Sequence, residues 1–206
     1  MSLKTCLVTT VLFAPAMLLA SLGDAAPAAS AARASETWTV DDVHSMALFR
    51  VQHMGAGMFW GRFDGVSGTI TTSGSDSLAF DITIDVASVS SGNDKLNGHL
   101  KSPDFFSVKE FPSMTFKSTK ATRGADGMWE VTGDLTMHGV TKPVTAKVEM
   151  TGRASMRDER VGFEATFTVD RSQFGMDYGV GKGIGKDVRV IVGLEATMAE
   201  PANAKK

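Results

Sequence analysis

The side chains here with chemical potential are few: His44, His53, His99 and His138, a serine beside the first of them, and a run of glycines and lysines. No two histidines stand at H-x-H or H-x-x-x-H spacing. On one continuous strand His44 and His53 have opposite parity, so they face opposite sides and cannot chelate one ion without a bulge. His99 falls in a helical insertion and His138 in a turn entering Gly139, so no metal site is expected. Ser45 beside His44 suggests a nucleophile and its base, but neighbouring strand residues point apart and G-x-S-x-G is absent. The expectation is a polar start to a strand, hydrogen-bonded to backbone, and no catalytic residue. The only cysteine, Cys6, lies in the N-terminal segment, so the mature chain has no disulfide, thiolate ligand or thiol nucleophile. Gly179-Val-Gly181-Lys182-Gly183-Ile-Gly185-Lys186 is glycine-rich like a phosphate cradle, yet it fits no G-x-x-x-x-G-K-[ST] register and no helix follows. Two readings stay open: a hairpin loop, or a lid whose amides and Lys182 or Lys186 meet an anionic group.

The elements that must position these residues show period two. Ala47, Phe49, Val51 and His53 share one parity, as do Leu78, Phe80, Ile82, Ile84 and Val86. The alternation recurs in Trp129 to Met137, Val144 to Met150, Val161 to Val169 and Val188 to Ala196. One apolar and one wet face per strand is the pattern of antiparallel sheet, because parallel strands covered on both faces read as unbroken apolar runs. Glycine with Asp or Asn punctuates the runs, as at Gly65, Gly74, Gly139 and Gly152. Such strands pack as a sandwich or close as a barrel, and periodicity does not choose between them. One stretch, Ser90 to Val108, breaks the rhythm. Leu96 and Leu100 share a helical face there and Pro103 stops the helix, which predicts a helical insertion near 93–108, suited to plug a barrel mouth.

Lys4 followed by an apolar stretch from Cys6 to Leu22, interrupted by Pro15, and then Ala26-Pro27-Ala28 has the form of a cleaved export signal. The expected organisation is a signal peptide over 1–28, an Ala-rich linker over 29–36, one domain over 37–199 and a tail over 200–206. That implies a periplasmic or secreted protein with no stable membrane span after cleavage. A net charge of -2 and a pI near 6.1 leave no basic footprint for nucleic acid.

Several separated motifs, in order, resemble a known family. His44-Ser-Met-Ala-Leu-Phe49-Arg-Val-Gln-His53-Met-Gly55 is similar to the opening H-S-x-x-x-F-x-x-x-H-x-G of YceI-like proteins. His99-Leu-Lys-Ser102-Pro-Asp104-Phe105-Phe106, with Phe111-Pro112 and Phe116-Lys-Ser118, resembles their central signature. Gly133-Asp-Leu135-Thr-Met-His-Gly139-Val-Thr-Lys142-Pro-Val144 resembles G-x-L-T-x-x-G-V-T-K-P-V, and Asp170-Arg171-Ser172-Gln-Phe174-Gly175 continues the likeness. It spans about Thr37 to Met198. One departure is Leu96-Asn97, where the family often has Arg-Asp.

The resemblance implies an all-β, antiparallel, lipocalin-like barrel of about eight strands. It also implies a long-chain amphiphilic ligand of the polyisoprenoid or isoprenoid quinone type, with no cofactor beyond that bound lipid and no settled enzymatic activity. The expected apolar lining is Phe49, Val51, Phe80, Ile82, Phe105, Phe106, Phe116, Leu135, Phe163 and Phe167, with His53, His99 and Lys182 at a polar mouth. The frequent methionines, Met46, Met54, Met58, Met114, Met137 and Met176 among them, suit a cavity for a flexible chain and suit ordinary core packing equally. An enzyme acting on such lipids, and a filled barrel serving as an interaction module, are the alternatives; a homodimer is left open.

Overall fold

Alternating side chains become staves of one closed sheet in the computed structural model, which describes residues 34–74 and 77–198. The expected signal peptide, most of the linker and the 200–206 tail lie outside the described residues. Eleven strands follow one another: β1 Glu36–Val40, β2 Met46–His53, β3 Gly57–Phe63, β4 Val66–Ser73, β5 Ser77–Asp85, β6 Val89–Ser90, β7 Ser113–Arg123, β8 Trp129–Met137, β9 Val140–Ser155, β10 Glu159–Asp170 and β11 Ile184–Met198. Among the described residues one α-helix, α1 Asp94–Leu100, interrupts them between β6 and β7. Glu36, expected at the end of the linker, already pairs with Thr72 in the sheet.

The strands form a closed antiparallel barrel of eight staves, three of which are bent. β1 with β2, β3 with β4, and β5 with β6 each make one bent stave. Each stave pairs with the next in sequence, and β11 closes the ring by pairing with β1 through Ala196 and with β2 through Val188 to Gly193. Closure leaves no long unpaired edge, the feature that makes open sheets prone to aggregate.

The bends correct one expectation. His44 and His53 do not share a continuous strand, because the chain leaves the ladder between Val40 and Met46. Asp41 Oδ1 accepts the Val43 amide at 3.0 Å in a local turn, and Ser45 Oγ both donates to the Glu195 carbonyl at 3.2 Å and accepts its amide at 3.0 Å. The inward parity therefore switches from even (Trp38, Val40) to odd (Ala47, Phe49). The glycine run is corrected as well: its loop ends at Gly183, and Gly185 and Lys186 belong to β11.

The helical insertion forms as its sequence predicts. Asn93 caps α1 by accepting the Leu96 amide at 3.1 Å. After Leu100, the Phe106 and Val108 amides donate to the Leu100 and Lys101 carbonyls at 3.0 and 3.1 Å, folding the segment back over one barrel end. Asn97, at the departure from the family pattern, ties the insertion to the body: its Oδ1 accepts the Ser91 amide and hydroxyl, both at 2.7 Å.

Candidate functional site

Strand register sorts the inward residues into rows around the barrel. Val169, Val188, Val51 and Phe59 stand side by side in one row, and Phe167, Val190 and Phe49 in the next. Both rows border a cavity of about 620 Å³ that runs under the insertion. In the row after that, Phe63 and Ala47 still border the cavity, whereas their neighbours Val192 and Ala165 do not. Beyond this level the interior is packed, and at the far end a second, more polar hollow of about 840 Å³ opens beside Trp38, Trp129 and Val161. Phe80 and Phe163 meet edge-on with ring centroids 5.5 Å apart, and Trp38, Ile70 and Val131 are wholly buried. The far end is capped where Arg153 lies over the Trp38 ring at 4.8 Å and forms a two-pronged ion pair with Glu36, at 3.0 and 3.2 Å.

Of the residues expected to line a cavity, Phe49, Val51, Phe105, Phe106, Leu135 and Phe167 do so, and His53 and His99 stand in its wall. Phe80, Ile82, Phe116 and Phe163 are corrected to the solid part of the barrel. They face inward as their parity demands, but parity carries no information about height along the axis. Lys182 is exposed on the loop and outside the cavity wall, while Lys186 is held by Asp170 at 2.7 Å. That contact, with the Ser172 hydroxyl and amide, keeps the Asp170 carboxyl down at about 2.

The mouth is aromatic. His99, Phe105 and Tyr178 form a triangle of rings with centroids 5.0, 5.2 and 5.1 Å apart, joining the insertion to the loop before β11. His99 Nε2 also lies 2.9 Å from Asp104 Oδ2. Deeper in, Phe106 packs edge-on against Phe63 at 5.1 Å. Leu96 and Leu100 turn their shared helical face to the cavity, and Met58, Met114, Met137 and Met176 complete a soft wall.

Sequence reasoning passed over Arg171, although it stands in the Asp170-Arg171-Ser172 motif. It lies at the cavity wall, is 5 % exposed, and donates to the carbonyls of Gly185, Met176 and Tyr178 at 2.9, 2.6 and 2.8 Å. Burial lowers its pKa, against the attraction of Asp177 and Asp170. The three bonds fold the loop carrying Tyr178 onto the mouth. Tyr178 itself, with no periodic neighbour in sequence, left no signal to find.

Among the described residues the cavity wall contains no serine, cysteine or carboxylate, and its polar side chains are His53, His99, Arg171 and Tyr178. Remote from it, Asp41, His44 and Glu195 bring ligand atoms within 4.8 Å of one another, the spacing of a metal cluster. A protein cation already sits there: Arg160 donates to Asp41 Oδ2 at 2.9 Å, to Glu195 Oε1, and to Asp158 at 2.8 Å. No helix among the described residues is long and apolar enough to cross a membrane.

These features define a closed antiparallel barrel with an apolar internal cavity at one end and a packed core beneath it. The chain belongs to the YceI-like domain family, whose family model matches residues 38–196. Protein YceI of Escherichia coli strain UMN026 is 32 % identical over 156 residues, covering 74 % of this chain and 81 % of that one. Among solved structures, Burkholderia cenocepacia BcnA matches with a TM-score of 0.68 at 24 % identity, covering 77 % of this chain and 99 % of its own. A polyisoprenoid binding domain from Saccharophagus degradans, implicated in plant cell wall breakdown, matches with a TM-score of 0.64 at 19 % identity, covering 79 % and 98 %. At these identities the structural likeness carries the fold.

Proposed function

We propose that this protein is an extracytoplasmic carrier of a long-chain amphiphilic lipid of the polyisoprenoid or isoprenoid quinone type, exported by a cleaved signal peptide and without enzymatic activity. The observation that carries the reading is the apolar cavity of about 620 Å³, reached through a mouth of His99, Phe105 and Tyr178. Barrels of about eight strands enclose one ligand rather than a water channel. Each buried methylene contributes about 0.8 kcal/mol, so ten contribute roughly 8 kcal/mol before the costs of association. One hydrogen bond from the mouth to a head group adds about 0.5–1.5 kcal/mol. Tail burial therefore sets affinity, while the mouth sets selectivity. The polyisoprenoid binding domain from Saccharophagus degradans shares the fold and supports this choice of ligand class.

Native mass spectrometry of the protein purified from its own source is the direct test, with a co-purifying prenyl lipid expected. N-terminal sequencing of the same sample should start between about Ala26 and Glu36. Ala47 borders the cavity, so Ala47→Trp should abolish binding of a fluorescent prenyl analogue while the urea midpoint of delipidated protein stays close to wild type. A wild type that binds no prenyl chain, together with early unfolding of the variant, would replace the carrier reading with the filled barrel.

A further inference from the structure

One side of the barrel mouth is built unlike the rest of the surface. The β2–β3 hairpin is exposed at every residue from Gln52 to Met58, and from Val51 to Gly61 the chain has no Asp, Glu, Lys or Arg. Of the eight large apolar side chains left exposed among the described residues, three stand on this hairpin: Met54, Met58 and Trp60, at 65, 51 and 45 %. A fourth, Tyr178, lies on the glycine-rich loop, which meets the hairpin where the Met54 amide donates to the Gly183 carbonyl at 2.5 Å. From Tyr178 to Gly185 that loop has one charged side chain, the exposed Lys182. The Ala56 amide donates to the His53 carbonyl at 3.1 Å, and the central residues of this turn, Met54 and Gly55, have φ of 52° and 67°. Two positive φ values mark a type I′ turn, whose first central position favours Asn, Asp or Gly. Turn chemistry therefore gives no reason for a methionine at this place.

We infer that this side of the rim docks on a lipid bilayer, the Met54 to Met58 tip entering the acyl boundary and Trp60 and Arg50 lying among the head groups. Charge favours that partner. Arg50 sits 5.5 Å from the Trp60 ring centroid, and Arg189 stands beside Arg50 in the strand register. Of the acids next to the glycine-rich loop, Asp170 is held by Lys186 and Asp177 is drawn to the buried Arg171. Arg50, Arg189 and Lys182 then outnumber the remaining Asp187, and a positive rim complements anionic lipid. Tryptophan suits the membrane interface because its ring is apolar in body and polar at one edge. The dimensions agree. From Trp60 to Gly57 the strand runs three residues, about 10 Å along its length and about 8 Å along an axis tilted by about 40°. Amphipathic segments at a membrane surface sink to a similar depth, roughly 5–10 Å. The helical insertion, by contrast, carries both signs of charge in Asp94, Lys95, Lys101 and Asp104 and suits the water side. Met58 and Tyr178 also border the cavity, so docking by this face sets the mouth against the bilayer. The surface requires nothing of what the cavity holds.

The test uses protein purified from its own source and vesicles of phosphatidylcholine, alone or mixed with phosphatidylglycerol, prepared with and without brominated acyl chains. The chain has three tryptophans, of which Trp38 and Trp129 are buried, so bromine quenching reports on Trp60. Mixed vesicles should bind at least about five-fold tighter than phosphatidylcholine alone. Brominated chains should quench the wild type, and Trp60→Phe should remove that quenching. Met54→Asp should weaken vesicle binding at least about ten-fold while the urea midpoint stays level or rises, because aspartate suits the turn. Met156→Asp, at a residue 94 % exposed beside Arg157 and Asp158, should change binding by less than about two-fold. Absence of vesicle binding, an unquenched Trp60, or equal effects of the two methionine substitutions overturns the docking surface. A wild-type dimer that Met54→Asp converts to monomers also overturns it and gives the face to a second copy of the chain. Vesicle binding without prenyl binding would keep this surface and remove the carrier reading, and the reverse result would remove this surface alone.

Discussion

Arg171 is a buried cation whose partners are all backbone carbonyls, an arrangement that spends a charged side chain on shaping a loop. Replacing it by leucine leaves the carbonyls of Met176, Tyr178 and Gly185 without their donor at the cavity wall. Each unpaired buried group costs about 1–3 kcal/mol, so Arg171→Leu is expected to lose about 3–5 kcal/mol, read as a fall in the urea midpoint. A second residue-scale prediction concerns pH. The His44 pKa is raised, first by its hydrogen bond to Asp41, and Asp41 is lowered to about 2, first by the same bond. A raised histidine contributes stability in full below its unfolded value of 6.5 and loses it as pH rises through its folded value. A lowered carboxylate contributes above its unfolded value of 3.8 and loses that as pH falls toward about 2. The pair is therefore at full strength between roughly pH 4 and 6.5. The gap in thermal midpoint between wild type and His44→Ala should be widest there and narrow above neutrality. It should be small throughout, because the His44 side chain is 57 % exposed.

At the scale of elements, the staves are held by short bends and by glycines where two chains come close. Gly68 on β4 has φ +136°, and a Cβ there would sit 2.1 Å from the Asp81 carbonyl oxygen on β5. Backbone does not yield as a flexible side chain does. Gly68→Ala should therefore cost at least about 1–3 kcal/mol, and amide hydrogen exchange should quicken in β4 and β5 ahead of the rest of the barrel. The strands themselves were legible. Inward residues from Val161 to Val169 and from Val188 to Ala196 alternate as a half-buried strand must, since the two-residue repeat is a local property of extended backbone. The Leu96 and Leu100 face of α1 was legible for the corresponding helical reason. The break between β1 and β2 was harder to see, because Asp41 to Ser45 lack the glycine or proline that marks a turn and depend on side-chain bonds from Asp41 and Ser45.

For the whole molecule, the division into a packed half and a hollow half predicts unequal responses to the same substitution. Phe163 is 1 % exposed within the packed half, so Phe163→Ala should lose about 3–5 kcal/mol. Phe167, two inward positions along the same strand, borders the cavity, and Phe167→Ala should lose less than half as much because a void already adjoins it. Paired urea titrations of the two delipidated variants give the comparison directly. Equal losses would mean that the hollow half closes up in the unliganded protein.

By itself the sequence determined which segments are strands, which of their side chains face inward, where the helical insertion falls, and, through its motifs, the family. Those properties depend on neighbours a few positions away. The tertiary structure alone decided the height of each inward residue, and with it whether Phe49 and Phe167 meet a void or Phe80 and Phe163 meet one another. Height follows from the register of Phe163 with Leu194 between β10 and β11, and from that of Phe49 with Val190, set when β11 closes against β2 at the other end of the chain. Closure also turned Arg171 inward and brought Tyr178 onto His99 and Phe105. No local pattern encodes these contacts, because they depend on how the whole ring of strands meets itself.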